Sequence, residues 1–468
     1  MALDALNNAL AGLDVTKARI DTISQNIANA QTAGYSEKTT NQTTTALGLV
    51  ALGPVQRNVS EQLQQSLNAT TGEVNQQQVT VNLLQQIETA FGTPSADSSL
   101  ASAITNLQNA FQDLSVNPEQ STLYQTVIQQ AQALATNLNS LSQTVSNTNA
   151  SATTQLQQAV TSANSALQTI DSVNKQIVAA GSLADTTDLQ DQRDQAIAAL
   201  SGIMDVTTYA KPNGEIAVYT ADGKPLVDNE AATLSLNGST VMWQQPPSQP
   251  ASVSVSSGTI AGLQSLQSTT LPGIQAQLDD IARALTVAFQ NINVPLFNDG
   301  GTNPVLGSNP ALPISIGNPA NPTQVSGYAA RIAVNQAIIA TPTIIRDANS
   351  ATPLDPGDTT NIDAAVAIFN SNSITFNSAT GLPATSSLVQ AATNFVAAQS
   401  TARANAQTAL TSTQSLQQSL QNQVSAQSGV NVDQEVAQLA VLQNTYSANA
   451  RVLTTTQDIY STLFNAIQ

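Results

Sequence analysis

The 468-residue chain contains no cysteine and no histidine, and only 9% of its residues are charged and 3% aromatic. These absences exclude disulfides, thiol nucleophiles, zinc sites built from thiolate or imidazole, and every triad that uses histidine as base. Few aromatics argue against an aromatic-lined ligand pocket. The few charges are one-sided: 13 basic against 30 acidic residues give a net charge of −17. That balance disfavours nucleic acid and anionic membranes, which need basic patches. No apolar run approaches the roughly eighteen residues needed to span a bilayer, so no membrane insertion is expected. The first thirty residues interrupt their apolar positions with Asp4, Asp14, Lys17, Arg19 and Asp21. They hold no continuous apolar core of a secretory signal. The expectation is a soluble chain, or one exported without a cleaved signal.

Most of the remainder is Ala, Gln, Asn, Ser, Thr, Leu and Val, a composition suited to packed helices with a neutral polar surface. The length allows about two to four domains. Residues 2–30 read as a helix, with Leu3, Leu6, Leu10, Leu13, Ile20 and Ile27 on a heptad seam, and with Lys17 and Ser24 in the intervening core slots. Gly34 then supplies a helix stop. Residues 36–57 read as an irregular arm. Helical patterns follow at 58–90, 98–115 and 119–180. The last of these carries one stripe at Leu134, Leu138, Leu141 and Val145 and another from Leu156 to Ile177. A helix of that length would run about 90 Å. After a short helix at 188–202 the texture turns β-rich to about Ser256, with hairpin signals at Asn213-Gly214 and Asp222-Gly223. Helix returns at 258–293 and 385–426. Residues 296–327 read as loop, and 328–384 are ambiguous. The final segment, 432–467, is periodic: Leu439, Tyr446, Leu453, Tyr460 and Ile467 recur every seven residues, and Leu442, Asn449, Thr456 and Leu463 fill the alternate slots.

The expected fold class is therefore mainly α with a β-rich insertion: terminal coiled-coil helices, a long helical-bundle rod formed by both chain ends, and an outer β domain. An amphipathic helix needs a surface for its stripe, because burying one large apolar side chain stabilises by about 1.5–3 kcal/mol. Two readings stay open for the terminal seams: helices docked on the core of a monomer, or ends that order on assembly with other subunits.

Chemistry has few candidates. Asp185, Asp188, Asp191 and Asp194 recur every third residue and suggest a cation site. They lack the alternating spacing and central glycine of a calcium loop. Helix capping by Asp185 or Asp188, with the later carboxylates facing solvent or Arg193, is the simpler reading. Asp279 and Asp280 are adjacent on a helix and point to different sides. Asp355–Asp363 contains Pro356-Gly357 and reads as a turn. Trp243 reads as a β-core residue. No catalytic residue, cofactor site or metal site is expected. A glycan hydrolase using two carboxylates finds no convincing pair.

Three segments carry a resemblance. "NIANAQTAGYS" (26–36), with Asn29, Thr32, Gly34 and Tyr35, is similar to the signature of flagellar rod, hook and hook-associated proteins. "LQDQRDQAIAALSGIMDV" (189–206) looks like the segment that closes the helical part of the family's hook–filament junction members. "SGVNVDQEVAQLAVLQNTYSANARVLTTTQDIYSTLFNAI" (428–467) looks like the family's C-terminal signature. The resemblance implies export through the flagellar type III apparatus and self-assembly into a tubular ring on the hook protein. It further implies succession by hook-associated protein 3 and flagellin, and an export chaperone covering the C-terminal helices. It implies an inner domain of 1–57 with 427–468, and a helical domain of 58–202, 258–295 and 385–426. An outer β domain at 203–257 would follow, with 296–384 of uncertain fold. Gly34 would reverse the chain and Tyr35 would pack against a neighbouring element; an ordinary helix cap is the plainer alternative. An exported adhesin, or another fibre subunit such as flagellin or hook-associated protein 3, competes with the junction reading.

Overall fold

The computed structural model of the chain describes residues 2–45, 50–92, 99–181, 184–299, 326–348, 350 and 352–467. Helix α1 (Ala2–Asn29) is followed by β1 (Lys38–Thr44) and β2 (Val50–Arg57), then α2 (Glu61–Phe91), α3 (Leu100–Val116), α4 (Ser121–Ala180) and α5 (Thr187–Ile203). The β-rich insertion comprises β3 (Val206–Ala210), β4 (Ile216–Thr220), β5 (Pro225–Asp228), β6 (Glu230–Ala231), β7 (Thr233–Asn237), β8 (Thr240–Gln244) and β9 (Ala251–Ser252). Next come α6 (Gly258–Ser265), a π-turn at Leu266–Thr270, and α7 (Leu271–Asn291). Short elements succeed them: β10 (Phe297–Asn298), β11 (Ala333–Val334), α8 (Gln336–Ala340), α9 (Ile344–Asp347), α10 (Thr360–Asn370), β12 (Ile374–Thr375) and β13 (Thr385–Ser386). The chain closes with α11 (Leu388–Ser428) and α12 (Val432–Ile467). The chain is thus mainly α-helical with a β-rich insertion. Most of the stretch expected as loop at 296–327 lies outside the described residues.

Two expectations need correction. The stretch 36–57 is not an irregular arm: its described residues contain the antiparallel pair β1 and β2, with Lys38 opposite Arg57 and Thr44 opposite Val50. Its threonines and valines favour extended backbone, and that preference outweighs the Asn and Gly content. The ambiguous stretch 328–384 resolves into short helices and two-residue strands. The π-turn has a local cause. Pro272 has no N–H to give and its ring would strike the carbonyl four residues back. The chain widens there, and the Leu271 N–H reaches Leu266 O.

The chain forms two compact units. The first comprises Met1–Gln76, Gln158–Ala261 and Thr411–Gln468. In it α1 packs along α12. Asn26 meets Glu435 near the start of α12, and Gly12 meets Asn449 near its middle, so the two helices run antiparallel. A Cβ at Gly12 would lie 3.0 Å from the Asn449 amide. Glycine there lets the helices approach closely. The insertion folds as two antiparallel sheets, β3-β4-β5-β6 and β7-β8-β9, and the Asn213-Gly214 and Asp222-Gly223 turns separate β3, β4 and β5 as their chemistry requires. Two asparagines of α4 act as strand partners for this insertion. Asn164 donates to Leu234 O and accepts from Leu234 N, both at 2.8 Å. Asn174 does the same with Ile216 at 2.9 and 3.1 Å. Trp243 is buried, and its indole N–H donates to Pro225 O at 2.6 Å, which agrees with a β-core role.

The second unit comprises Gln77–Gln157 and Gly262–Leu410. It holds all but one of the eight phenylalanines. Phe289 on α7 lies 5.5 Å from Phe111, 5.8 Å from Phe369 and 5.8 Å from Phe297, ring centre to ring centre. Scarce aromatics are concentrated where four elements, α3, α7, β10 and α10, must be held by a few large side chains. Asp279 and Asp280 do point apart, and each holds a loop. Asp279 accepts from the backbone N–H groups of Gly327 and Ala329. Asp280 accepts from Asn377 N and pairs with Arg283. Burial raises the Asp279 carboxyl against the pull of those hydrogen bonds.

Candidate functional site

The turn after α1 is built by its own side chains. Thr32 N–H donates to Asn29 O at 2.8 Å, and Tyr35 N–H donates to Thr32 O at 3.2 Å. Gly34 has φ +76°, a conformation that costs an L side chain about 1–2 kcal/mol. A Cβ there would also press on the Gln195 side chain, which donates to Ala33 O. The Tyr35 hydroxyl turns back and donates to Asn26 Oδ1 at 2.9 Å.

Asn26 is the centre of the site. It is 1% exposed, and all of its hydrogen-bonding capacity is used. Its Oδ1 accepts from Tyr35 Oη and from Lys38 N, and its Nδ2 donates to Lys38 O and to Glu435 Oε1 at 2.7 Å. One α1 side chain therefore ties the turn, the first residue of β1 and the first turn of α12. Glu37 N–H adds a bond to Ser428 O at the end of α11.

A second layer ties the hairpin to α5. The Lys38 ammonium is buried, pairs with Asp188, and lies 4.9 Å from the Tyr35 ring centre. Ser36 donates its hydroxyl to Asp191 at 2.6 Å. Arg57 bridges Asp191 and Asp194, 2.8 Å from each. Burial works against the Arg57 charge, but Asp194 and Asp191 outweigh it and raise its basicity. Burial, followed by Asp188, Asp191, Glu435 and Asp185, pushes the Tyr35 hydroxyl well up, so it remains a donor at neutral pH. The every-third-residue aspartates are therefore corrected. Asp185 lies one residue before the N-cap, Thr186, and accepts from Thr187 N and Thr187 Oγ1. Asp191 and Asp194 serve Arg57 and Ser36 and do not face solvent. Arg193 lies 4.0 Å from Asp194, as expected of one of the later carboxylates, and donates to Asn174 Oδ1 and Gly214 O. Among the described residues no group of three acidic, histidine or cysteine side chains could hold a metal. No described helix is long and apolar enough to cross a membrane.

The terminal seams meet in a phase different from the leucine stripe. The α1 residues buried in this chain are Ala9, Val15, Thr16, Ile23 and Asn26. Lys17 and Ser24, expected in core slots, are exposed. Leu10 is 51% exposed, and Leu6, Leu13, Ile20 and Ile27 are half-buried. On α12, Glu435, Leu442 and Thr456 are buried, Leu439, Leu453 and Tyr460 are half-buried, and Tyr446 is exposed. The side chains of Leu3, Leu463 and Ile467 lie outside the described residues. Sequence reasoning missed Asn26, Lys38, Arg57 and Glu435. The available signal was the isolation of Lys38 and Arg57 at the two ends of a Thr-rich stretch, in a chain with few cations.

A buried polar joint between the two terminal helices, with a helical body and a β insertion between them, describes a class of subunit whose ends are built to meet. Residues 84–295 match the family described as flagellar hook-associated protein FlgK helical domain. Residues 421–466 match the family described as flagellar basal body rod FlgEFG protein C-terminal. The chain is thus similar to flagellar hook-associated proteins across its helical body and to flagellar rod proteins near its C-terminal end. The segments 189–206 and 428–466 fall inside those matches; the turn motif at 26–36 lies outside both. Similar curated proteins are flagellar hook-associated protein 1 of Escherichia coli K12, 27% identical over 48% of this chain and 43% of that protein, and its namesake in Salmonella typhimurium, with the same identity and shares. The protein of that name in Bacillus subtilis is 26% identical over 47% of this chain and 46% of its own length. The matches thus span less than half the length of these relatives. Among solved structures, the flagellar hook junction protein FlgK from Burkholderia pseudomallei is 27% identical, with a TM-score of 0.47 over 50% of this chain and 47% of that one.

Proposed function

We propose that this chain is the structural subunit that sits on the end of the flagellar hook and forms the junction on which the filament is built. The observation that carries this reading is the presence in one chain of the hook-associated helical domain and the basal-body rod C-terminal segment. Its role would be to bind, stack and transmit load, with no catalysis. Copies of the chain would form a ring on the hook protein, and hook-associated protein 3 and then flagellin would follow. The terminal helices, 1–57 and 427–468, would line the inner wall. The helices of 58–202, 258–295 and 385–426 would form the layer around it, and the β insertion would face outward. Passage through the type III export apparatus without a cleaved signal, with a chaperone over the C-terminal helices, completes the proposal. The apolar residues left open on the terminal helices, Leu10, Val441, Tyr446, Val452 and Ile459, offer surface for such contacts.

Deleting the gene in its source organism tests this. The expected cells carry hooks without filaments and release flagellin monomer into the medium. Normal filaments in a strain without a second copy would overturn the reading and bring the adhesin forward.

A further inference from the structure

Glu435 is a buried carboxyl without a cation. It is 3% exposed. Its Oε1 accepts one hydrogen bond, from Asn26, and its Oε2 has no hydrogen-bond partner. The cations nearest in the site are committed elsewhere: the Lys38 ammonium to Asp188, and the Arg57 guanidinium to Asp191 and Asp194. The charged group that acts on Glu435 is Glu37 from the start of the hairpin; Tyr35, which shares Asn26 with it, feels Glu435 together with Asp188, Asp191 and Asp185, and Asp433 lies two residues away on its own helix. Lys38 apart, none of these is a cation. An ionised carboxylate in such a place loses hydration that a single neutral hydrogen bond does not return. Asn26 cannot adapt to help, because all four of its hydrogen bonds are made.

We propose that Glu435 is a proton-operated clasp on the terminal helix pair: protonated, it holds α12 against α1 through Asn26, and ionised, it loosens the start of α12 and frees both helices for other partners.

The sign follows from the direction of the perturbation. Burial chiefly, with Glu37 adding to it and the Asn26 hydrogen bond opposing it, raises the Glu435 carboxyl above its ordinary 4.5. A group raised in the docked state favours docking fully below its ordinary value and loses that contribution as pH rises through the raised one. The docked pair is therefore tightest in mild acid and weaker at neutral pH. This inference concerns the isolated chain and does not depend on the junction reading.

The chain has no cysteine, so two introduced thiols are unique. Gln25→Cys and Gln434→Cys, both exposed and flanking the Asn26–Glu435 contact, would carry spin labels on the full-length monomer. Electron-spin distance measurements from about pH 4.5 to about pH 8 then report the docked fraction. The expected result is a short-distance population that dominates in acid and falls severalfold towards neutral pH. Glu435→Gln keeps the acceptor for Asn26 and removes the proton, so its docked fraction should not change with pH. Glu37→Gln should retain the transition and move it to lower pH. A wild-type population that is constant across the range, no docked population in acid, or the same pH response in the Glu435→Gln chain would each overturn the clasp. So would a transition that Glu37→Gln leaves unmoved.

Discussion

Asn26 lies twelve residues before Lys38, the first residue of the hairpin, yet it decides how that hairpin, the turn and α12 meet. A buried amide with every donor and acceptor occupied is rigid, because any rotation orphans at least one buried group. Gly34 serves the same joint differently. Its positive φ lets the chain reverse so that Tyr35 can reach back to Asn26. Replacing Gly34 with Ala should cost about 1–2 kcal/mol, the price of the left-handed backbone, measured by chemical denaturation of the full chain. The clash with Gln195 should add little, since that residue is exposed and can swing away at the loss of one 3.3 Å hydrogen bond. A loss well above 3 kcal/mol would mean that the turn is more tightly enclosed than this geometry implies. Carboxylates in this molecule also differ in sign. Lys211 and Tyr219 hold the Asp228 carboxyl below its usual range, so it supports the β insertion at neutral pH and loses that contribution as pH falls through the lowered value. Glu435 behaves in the opposite way.

At the scale of elements, helices are held by stripes and loops by single polar anchors. The α4 stripe is buried throughout, from Leu134 to Val145 in the second unit and from Val160 to Ile177 in the first. The short elements between α7 and α11 have no stripe long enough to secure them. They depend on Asp279, Asp280 and Asn139, whose side chain donates to Ala329 O at 2.7 Å, and on the phenylalanine cluster. Phe289 touches three of the cluster's rings. Phe289→Ala should destabilise the second unit by about 3–5 kcal/mol, seen as faster hydrogen exchange across α3, α7 and α10. Exchange in α1 and α12 should be unchanged. A loss of protection shared equally by the terminal helices would show that the two units unfold as one.

At the scale of the whole molecule, the terminal pair leaves apolar surface that its own chain does not cover. Leu10 makes the distinction testable because it is half-exposed beside a buried Ala9. Leu10→Asn should change the stability of the isolated chain by less than about 0.5 kcal/mol, as exposed substitutions usually do. Under the proposed function, it should reduce the number of filaments when expressed in the deletion strain. Full filament formation by a normally secreted Leu10→Asn chain would mean that this face of α1 takes no part in assembly.

The sequence by itself determined the helices, the position of the β-rich insertion and its first two turns. Each depends on local chemistry: three-and-four spacing of apolar residues, and Asn-Gly or Asp-Gly pairs where the backbone must reverse. It also carried a resemblance to flagellar proteins, and the segments in the middle and near the C-terminal end fall inside the family matches. It did not determine the phase of the terminal pair. A leucine stripe shows which face is apolar, but the partner's shape selects the contact, and small residues such as Ala9 and Gly12 allow α12 closer than the leucines do. Nor did it determine the polar joint. Asn26, Lys38, Asp191 and Glu435 lie far apart in sequence and are unremarkable singly. Only the tertiary structure brings them together, because burial leaves each polar group no water and obliges it to find a partner on another element.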